Sequence, residues 1–314
     1  MTAKSAGPWR NLVTEGTNPR SGRLDRLGPS RIVGLMQSED RAVLAALRRA
    51  RRSIARAAEL LRETYLSGRD CHLFGAGTSG RLAVLEAAEI PPTFGTAPRR
   101  VRAVMAGGRA AVFRSREGAE DRLEEGARGA NRVKRGDLVI GVSASSVTPF
   151  VRGALARGRR RGARTILLTA SRSPGLSRVA DLAVVLEVGP EILAGSTRLK
   201  AGTATKLALN QITTAAFASA GKAFGPWMVD LRAGSAKLKD RAARIVAAAA
   251  GVSPREAPGL LSRARGDVKV AIVMGRMRAP ASESRRRLRE ADGDLRAALE
   301  RPPDSGPKIG RRRR

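Results

Sequence analysis

Cys71-His72-Leu73-Phe74-Gly75-Ala76-Gly77-Thr78-Ser79-Gly80-Arg81 is the segment of this 314-residue sequence from which the fold is most readily inferred. An apolar run leads into a Gly/Ser/Thr loop, and a helical apolar pattern begins near Ser79. This order predicts a strand, a tight loop and a helix. Backbone N–H groups and hydroxyls at a helix N-terminus suit an anion of phosphate size, so Thr78 and Ser79 are candidate ligands. Glycine-rich strand–helix turns are common, so this loop alone leaves the ligand open.

Strands and helices alternate along the middle of the chain. Continuous apolar strands between helices are typical of a parallel sheet covered on both faces, which makes the fold class α/β. Ligands of such sheets bind beyond the carboxyl ends of the strands, and we expect the loops 76–80, 143–148 and 195–203 there or nearby. The candidate strands are 71–75, 101–105, 137–143, 164–169 and 182–187, and the candidate helices are 79–89, 118–130, 148–161 and 199–222.

Shifts in composition divide the chain into four segments. Residues 1–37 are polar with scattered Gly and Pro and predict an extended arm, and the α/β domain covers 38–234. Residues 235–278 predict a small bundle of three short helices. The Arg-rich residues 279–314 predict a helical or disordered tail.

Capping signals support the small bundle. Asp240 is placed to cap its first helix, through Ala250. Ser253-Pro254-Arg255-Glu256 combines a cap, a proline at the first helical position and a capping-box glutamate for the second. The third helix is expected to follow Asp267.

The formal net charge is +32, from 60 Lys and Arg against 28 Asp and Glu. A field of this size favours nucleic acid or anionic surfaces. Aromatic residues make up only 3% of the chain, too few for base-stacking platforms, and the Arg clusters at 157–164, 285–289 and 311–314 match no nucleic-acid motif. We therefore interpret the charge as solvated, compositionally biased surface that helps to gather anionic substrates, and expect no specific nucleic-acid partner.

The single cysteine and the lengths of the apolar segments bear on location. Cys71 has no partner for an internal disulfide and is expected to be a buried, inert thiol, which fits a reducing compartment. The first residues lack an apolar core of signal-peptide length, and no stretch approaches the ~20 apolar residues of a membrane span. We expect a soluble, cytoplasmic protein with no membrane partner.

Longer motifs carry a specific family resemblance. The continuation Leu82-Ala83-Val84-Leu85-Glu86-Ala87-Ala88-Glu89-Ile90-Pro91-Pro92-Thr93-Phe94-Gly95 resembles the signature of the N-acetylmuramic acid 6-phosphate etherases, members of the sugar isomerase (SIS) superfamily. The resemblance implies an SIS-type three-layer α-β-α sandwich with a five-stranded parallel sheet and a small, UBA-like C-terminal helical domain. Other segments agree in order between about Thr14 and Met274: Thr14-Glu15, Asn18-Pro19-Arg20-Ser21, Glu117-Gly118-Ala119-Glu120-Asp121, Gly189-Pro190-Glu191, Gly195-Ser196-Thr197-Arg198-Leu199-Lys200-Ala201-Gly202-Thr203 and Met228-Val229-Asp230.

The resemblance also implies a reaction. The family cleaves the D-lactyl ether of N-acetylmuramic acid 6-phosphate by elimination and hydration, in the recycling of peptidoglycan amino sugars. Its two functional glutamates map to Glu89 as proton donor and Glu120 as base. The family forms homodimers with sites near the subunit interface. No cofactor is expected, because the sequence has neither a metal-ligand cluster nor a nucleotide fingerprint.

Predicted helix positions give the same two roles independently. Pro91-Pro92 is expected to end the helix at Glu89, where the negative end of the helix dipole disfavours a carboxylate and suits a proton donor. Glu120 is expected in the first turn of its helix, where the positive end favours the ionised form and suits a base. The residues alone favour a different interpretation, in which Glu86 and Glu89 are a solvated pair and Glu120 belongs to an ordinary salt-bridged surface with Glu117, Glu124 and Arg128. The family resemblance favours catalysis instead.

Phosphate binding falls to Thr78 and Ser79 and to two further loops. The candidate ligands there are Ser143, Ser145, Thr148, Ser196, Thr197 and the cation Lys200. Helix capping is an alternative role for Ser196 and Thr197.

The second loop departs from the family pattern. That pattern usually reads Ala-Ser-Gly-Arg-Thr-Pro, whereas Ser146 and Val147 stand here in place of Gly and Arg. Gly permits positive φ and close approach to an anion, and Arg offers a fixed fork of donors. Their loss predicts weaker substrate binding, and it keeps open a non-catalytic SIS-type regulator that binds sugar phosphates.

Overall fold

The computed structural model describes residues 12–172, 176–231 and 235–300. The chain divides into two compact units. The first contains the described residues up to Pro91 together with Thr96–Phe217, and the second contains Pro92–Gly95 and the described residues from Ala218 onward. The ends of the predicted arm and tail, including the Arg cluster at 311–314, lie outside the described residues. The boundaries predicted at residues 38, 235 and 279 stay predictions.

A five-stranded parallel sheet forms the centre of the first unit, as predicted. Its strands are β1 Cys71–Gly75, β2 Val101–Met105, β3 Leu138–Val142, β4 Arg164–Thr169 and β5 Leu182–Val185. Their order in the sheet is β2-β1-β3-β4-β5. Every residue of β1 and β3 is buried, because helices cover both faces of the sheet. The Cys71 thiol is buried as predicted, and its burial raises its pKa far above the ordinary value.

The helices of the first unit form the outer layers. They are α1 Pro29–Glu39, α2 Arg41–Arg49, α3 Arg51–Leu66, α4 Gly77–Phe94, α5 Ala110–Phe113, α6 Leu123–Gly129, α7 Pro149–Arg160, α8 Leu176–Val179 and α9 Lys200–Phe217. On one face, α7 packs with α6 against Phe74, Val139 and Leu167. On the other, α3 packs with α9 and contacts β1, β3 and β5.

Two glycines bring β1 and α4 unusually close together. A Cβ atom on Gly75 would lie 2.7 Å from the Gly80 nitrogen, and one on Gly80 would lie 2.7 Å from the Gly75 oxygen. Any side chain at either position would therefore push the helix away from the strand. The close approach fixes the first turn of α4 beyond the carboxyl end of β1.

Several predicted helix limits differ from those in the structure. The helix predicted over 79–89 continues through Pro91 and Pro92 to Phe94. Proline's fixed φ is compatible with a helix, so the chain can continue, although each proline removes one hydrogen bond and its ring crowds the carbonyl four residues earlier. The helix predicted over 199–222 is α-helical only as far as Phe217, and a π-helical turn with irregular backbone at Ala220 and Gly221 continues it over Ala218–Lys222.

The predicted extended arm is partly helical. Its described part contains the one-turn 3-10 helices Val13–Glu15, Pro19–Ser21 and Leu24–Arg26. The helix α1 then begins at Pro29, nine residues before the predicted onset at Ser38. Pro29 occupies the first helical turn, where its missing N–H costs nothing. One of the prolines from which an extended arm was predicted therefore starts a helix.

The second unit is helical and has its own apolar core, which includes Ile245, Val246, Ile272 and Val273. Its helices are α10 Ala236–Ala250, α11 Ala257–Arg263, α12 Val268–Met277, α13 Ala281–Glu290 and α14 Leu295–Glu300, and a short antiparallel pair joins β6 Ala223–Phe224 to β7 Trp227–Met228. Leu288 and Leu295 also belong to this core, so the tail as far as residue 300 is folded into the unit.

The capping predictions for this unit are partly right. The Ser253 amide donates to Glu256 Oε2 at 3.0 Å and the Glu256 amide to Ser253 Oγ at 3.3 Å, which is the predicted capping box. Asp267 accepts from the Val270 amide at 3.0 Å and caps α12. Asp240 does not cap α10, because the helix starts earlier and Ser235 accepts from the Leu238 amide. In the described part of the chain, no helix is both long and apolar enough to span a membrane.

Candidate active site

A cavity of about 310 Å³ opens at the carboxyl ends of the central strands. The first turn of α4, the loop after β3 and the segment around Gly195 all contribute to it, as the topology predicted for the three loops. Its walls are strongly polar. The predicted site residues that line it are Thr78, Ser79, Glu120, Ser145, Thr148 and Thr197.

The hydroxyl groups cluster where the helix dipole favours an anion. Thr78 and Ser79 belong to the first turn of α4, an 18-residue helix whose N-terminus faces the cavity. Ser145 and Thr148 approach from the loop after β3, and Thr148 is positioned by a 2.7 Å hydrogen bond with the Ser143 hydroxyl. Ser143 itself is buried behind the cavity wall, so its contact with the cavity is made through Thr148.

Glu120 is half-buried and reaches the cavity from a turn before α6. The helix predicted over 118–130 begins only at Leu123, so Glu120 is not in its first turn and the dipole argument for this residue is wrong. The turn is held instead by the Phe150 amide, which donates to the Glu120 carbonyl at 2.9 Å. This bond fixes the glutamate beside the start of α7, where the loop after β3 ends.

Glu89 lies on the exposed side of α4 and does not line this cavity. Its position is about 16 Å along the helix axis from Thr78, given a rise of about 1.5 Å per residue. Because α4 continues to Phe94, Glu89 is more than a turn from the helix end, and the dipole argument for its role as a proton donor is also wrong. Within one chain the structure therefore separates the two predicted catalytic glutamates.

Glu86 is buried one turn before Glu89, and is not the solvated surface group that the sequence pattern alone favours. Thr213 Oγ1 donates to one of its carboxylate oxygens at 2.5 Å, and Asn210 Nδ2 donates to the other at 2.8 Å. The Lys206 ammonium donates to the Asn210 side-chain oxygen and completes the cluster. Burial raises the Glu86 pKa above its ordinary value, although both hydrogen bonds and Lys206 act in the opposite direction.

Lys200 is not a free cation at the cavity. It is 3% exposed, and its ammonium lies 2.7 Å from Glu39 Oε2. The hydrogen bond from Lys200 is the main cause that holds the Glu39 pKa below its ordinary value. The predicted phosphate contact of Lys200 stays a prediction.

Glu191 caps α9, the role that the sequence offered as an alternative for Ser196 and Thr197. Its buried carboxylate accepts from the Lys200 amide at 3.0 Å and from the Ala201 amide at 2.9 Å, at the start of α9. Thr197 is thereby left to line the cavity, whereas Ser196 does not line it. A carboxylate nine residues before the helix gives no capping signal that a sequence pattern would detect.

The departures at Ser146 and Val147 lie off the cavity. Ser146 is buried with φ +67°, a conformation that favours Gly, so it keeps the loop shape at a cost of about 1 kcal/mol. Val147 lines a separate groove beside Arg152, Arg159 and Arg160. The position at which the family has an arginine therefore lies, in this protein, on a different surface from the cavity that Thr78 lines.

Four charged cavity residues are not among the predicted site residues. Glu15 enters from the N-terminal segment, and Arg81, Arg116 and Glu117 line the walls. Arg81 is fixed by bonds to the carbonyls of Val112 and Ala111, at 2.8 and 2.9 Å. In the described part of the chain, no group of three His, Cys, Asp or Glu side chains is placed to hold a metal ion.

Sequence comparisons connect this chain to known proteins. A family model described as the glucokinase regulatory protein N-terminal SIS domain matches residues 53–159. The N-acetylmuramic acid 6-phosphate etherase of Rubrobacter xylanophilus is 48% identical over 290 residues, which cover 92% of this chain and 96% of the relative. The etherase of Geobacillus thermodenitrificans is 44% identical, over 92% and 99% of the two chains. That of Mycolicibacterium smegmatis is 43% identical, over 92% and 97%.

Solved structures are more distant. A phosphoheptose isomerase from Francisella tularensis is 15% identical, covers 60% of this chain and 97% of its own, and has a TM-score of 0.49. A phosphoheptose isomerase from Neisseria gonorrhoeae is 18% identical, with coverages of 60% and 98% and a TM-score of 0.45.

Proposed function

This chain belongs to the N-acetylmuramic acid 6-phosphate etherase family, and on that premise we propose how its own residues perform the reaction. The enzyme is a carbon-oxygen lyase that converts N-acetylmuramic acid 6-phosphate and water to N-acetylglucosamine 6-phosphate and D-lactate, in amino-sugar recycling. A single observation carries the proposal. Glu120 and the hydroxyls at the N-terminus of α4 line the same cavity, so a base and an anion site lie within reach of one sugar phosphate.

Thr78, Ser79, Ser145, Thr148 and Thr197 bind the 6-phosphate. Hydroxyl donors at the positive end of a long helix stabilise a phosphate without a metal ion. The cavity volume of about 310 Å³ lies at the small end of the range for ligand pockets and suits one sugar. Ser143 positions the Thr148 hydroxyl through their 2.7 Å hydrogen bond. Binding of the phosphate at this end directs the sugar carbons toward Glu120.

Glu120 starts the reaction by removing a proton. In the open-chain sugar the C1 aldehyde makes the C2 proton acidic, and the Glu120 carboxylate accepts it. The electron pair left at C2 forms the C2–C3 double bond as the C3–O bond breaks. Glu89 gives its proton to the departing lactate oxygen. Water then adds at C3, with Glu89 accepting a proton from the water and Glu120 returning one to C2.

Glu89 acts from a neighbouring subunit. Its place about 16 Å along α4 from Thr78 is too far for it to serve the cavity of its own chain, given the length of a glutamate side chain. An exposed position on the helix leaves Glu89 accessible to a second copy of the chain. We therefore infer a homodimer in which each cavity combines Glu120 of one chain with Glu89 of the other. The buried, free Cys71 is consistent with the reducing cytoplasm as the place of action.

Isotope exchange tests the two roles separately. Purified protein is incubated with N-acetylmuramic acid 6-phosphate in deuterated, ¹⁸O-labelled water, and D-lactate and the labels at C2 and C3 are measured. The unaltered enzyme is expected to release D-lactate and to leave a sugar product that carries deuterium at C2 and ¹⁸O at C3. Glu120→Gln is expected to lose both the exchange and the lactate, by about 10²-fold or more. Glu89→Gln is expected to slow lactate release more than C2 exchange.

Glu117→Gln is the matched control, because Glu117 also lines the cavity but has no assigned role. Its rates should stay within a few fold of the unaltered enzyme. Deuterium exchange at C2 that survives in Glu120→Gln would contradict the assignment of the base. Tight sugar-phosphate binding without lactate or label would instead identify a non-catalytic sugar-phosphate-binding protein.

A further inference from the structure

The N-terminal segment contributes a carboxylate to the cavity from far outside the sheet. Glu15 ends the one-turn 3-10 helix Val13–Glu15, more than fifty residues before β1, yet it lines the same cavity as Thr78 and Glu120. Glu15 takes no part in the proton transfers assigned to Glu89 and Glu120. The fold of the sheet does not explain its position, which suggests a contact with the substrate.

Three contacts hold this segment in place. The Gly195 amide donates to the Thr14 carbonyl at 3.2 Å, and Thr14 is 2% exposed. Asn18 is also buried, and its side-chain nitrogen donates to the Pro190 carbonyl at 3.3 Å and to Glu39 at 2.6 Å. The segment on either side of Glu15 is thus bound to the loop that precedes α9. Glu15 is held at the cavity by these neighbours and not by its own side chain.

The Glu15 carboxylate lies directly over the Gly195 backbone. A Cβ atom on Gly195 would be 3.2 Å from Glu15 Oε2, so a larger residue would crowd the carboxylate, and the φ of +76° would strain any residue other than glycine. Among the described residues, no hydrogen bond or ion pair engages this carboxylate. It therefore has its full capacity as an acceptor available to a molecule in the cavity.

An ionised carboxylate accepts hydrogen bonds and repels anions, which limits what it contacts in the substrate. It cannot face the phosphate or the lactyl carboxylate. In the substrate, C1 to C3 take part in the reaction and C6 carries the phosphate. In the ring form, in which the sugar first binds, C5 carries the ring oxygen, so the hydroxyl at C4 is the sugar hydroxyl left between these two ends. A hydroxyl bound to a carboxylate makes a strong, charge-assisted hydrogen bond.

We propose that Glu15 is a substrate-binding residue that accepts a hydrogen bond from the C4 hydroxyl of the amino sugar. This inference rests on the proposed function, because it takes the sugar phosphate as the ligand of the cavity. It makes the N-terminal segment part of the active site. Glu15 then sets the position of the sugar between the phosphate site and Glu120, and it transfers no proton.

Binding of the product tests the proposal without turnover. The dissociation constants of N-acetylglucosamine 6-phosphate and its 4-deoxy analogue are measured by calorimetry for the unaltered protein, Glu15→Gln and Asp25→Asn. Asp25 is the matched control, because it is an exposed acid of the same segment outside the cavity. Glu15→Gln is expected to weaken binding of the product about tenfold or more, as for one lost hydrogen bond to a charged group. Asp25→Asn should leave it unchanged.

The 4-deoxy analogue separates a contact to the C4 hydroxyl from a general disturbance. It should bind the unaltered protein about tenfold more weakly than the product does, and Glu15→Gln should weaken it no further. An equal loss for both ligands, or no loss for the product, would overturn the proposal. Lactate release is measured separately, so a protein that binds the product but cleaves nothing would refute the proposed lyase and leave this comparison valid.

Discussion

At the scale of single residues, Glu86 shows how burial changes the chemistry of a carboxyl group. Its carboxylate is shielded from water between α4 and α9, and burial raises its pKa despite two hydrogen bonds and the nearby Lys206. The folded protein therefore holds this proton more tightly than the unfolded chain does. The resulting contribution to the free energy of unfolding is present below the ordinary pKa of 4.5 and is lost as pH rises through the folded value.

Glu86→Gln removes this pH dependence, because glutamine has the same size and no proton to lose. We expect the melting temperature of the variant, relative to that of the unaltered protein, to increase as pH is raised from 4 toward 7. Thermal unfolding by circular dichroism at several pH values measures the difference. Glu124→Gln, at an exposed position, is the control and should show no such trend. Parallel curves for Glu86→Gln and the unaltered protein would refute the prediction.

The sequence predicted the positions of two cavity hydroxyls, those of Thr78 and Ser79, better than the positions of the charged residues. Thr78 and Ser79 follow an apolar strand directly, and local pattern alone is enough to place them at a helix N-terminus. Glu15 is placed by contacts between its neighbours and residues more than a hundred positions away. Glu191 caps α9 from a loop that has no fixed sequence pattern. The ion pair of Lys200 with Glu39 was not predicted for the same reason, since the two residues lie 161 positions apart.

At the scale of secondary structure, α9 depends on a cap supplied by a loop. The Glu191 carboxylate accepts the Lys200 and Ala201 amides, which have no partner inside the helix. In Glu191→Gln one of these amides would face an NH₂ group in a buried place. We expect a loss of about 2 kcal/mol in the free energy of unfolding, the usual cost of a buried donor without an acceptor.

Urea denaturation measures the effect of Glu191→Gln. Thr203→Ala is the control, because Thr203 lies exposed in the first turns of the same helix and bonds only to the Leu199 carbonyl. It should change stability by less than about 0.5 kcal/mol. If both variants unfold at the same urea concentration as the unaltered protein, Glu191 is not what holds the start of α9.

Strands were predictable and helix limits were not. All five strands of the parallel sheet were placed within about two residues, because each is a short run rich in apolar residues. The runs of β1 and β3 are buried throughout. The end of α4 and the start of α6 were misplaced, since proline and turn residues set only local preferences. Both dipole arguments for the catalytic pair depended on those limits, so they failed while the mapping of Glu89 and Glu120 from the family resemblance was unaffected.

At the scale of the whole molecule, the separation of the two glutamates decides what kind of site the protein has. Glu120 lines the cavity, whereas Glu89 lies about three turns along α4 from its first turn. If each site combines the two residues from different subunits, Glu89→Gln removes the contribution of one subunit to a site and Glu120→Gln removes that of the other. A mixed dimer of the two variants would then have one site with both changes and one site with none.

Subunit mixing tests this arrangement. The two inactive variants are unfolded together, refolded and assayed for D-lactate release. Random pairing gives about half mixed dimers, each with one intact site, so about a quarter of the unaltered activity is expected. Each variant refolded alone is the control and should stay inactive. A site built within one chain always carries one of the two changes, so it would recover no activity in the mixture. If the mixture is shown to contain mixed dimers and still releases no D-lactate, the shared site is ruled out.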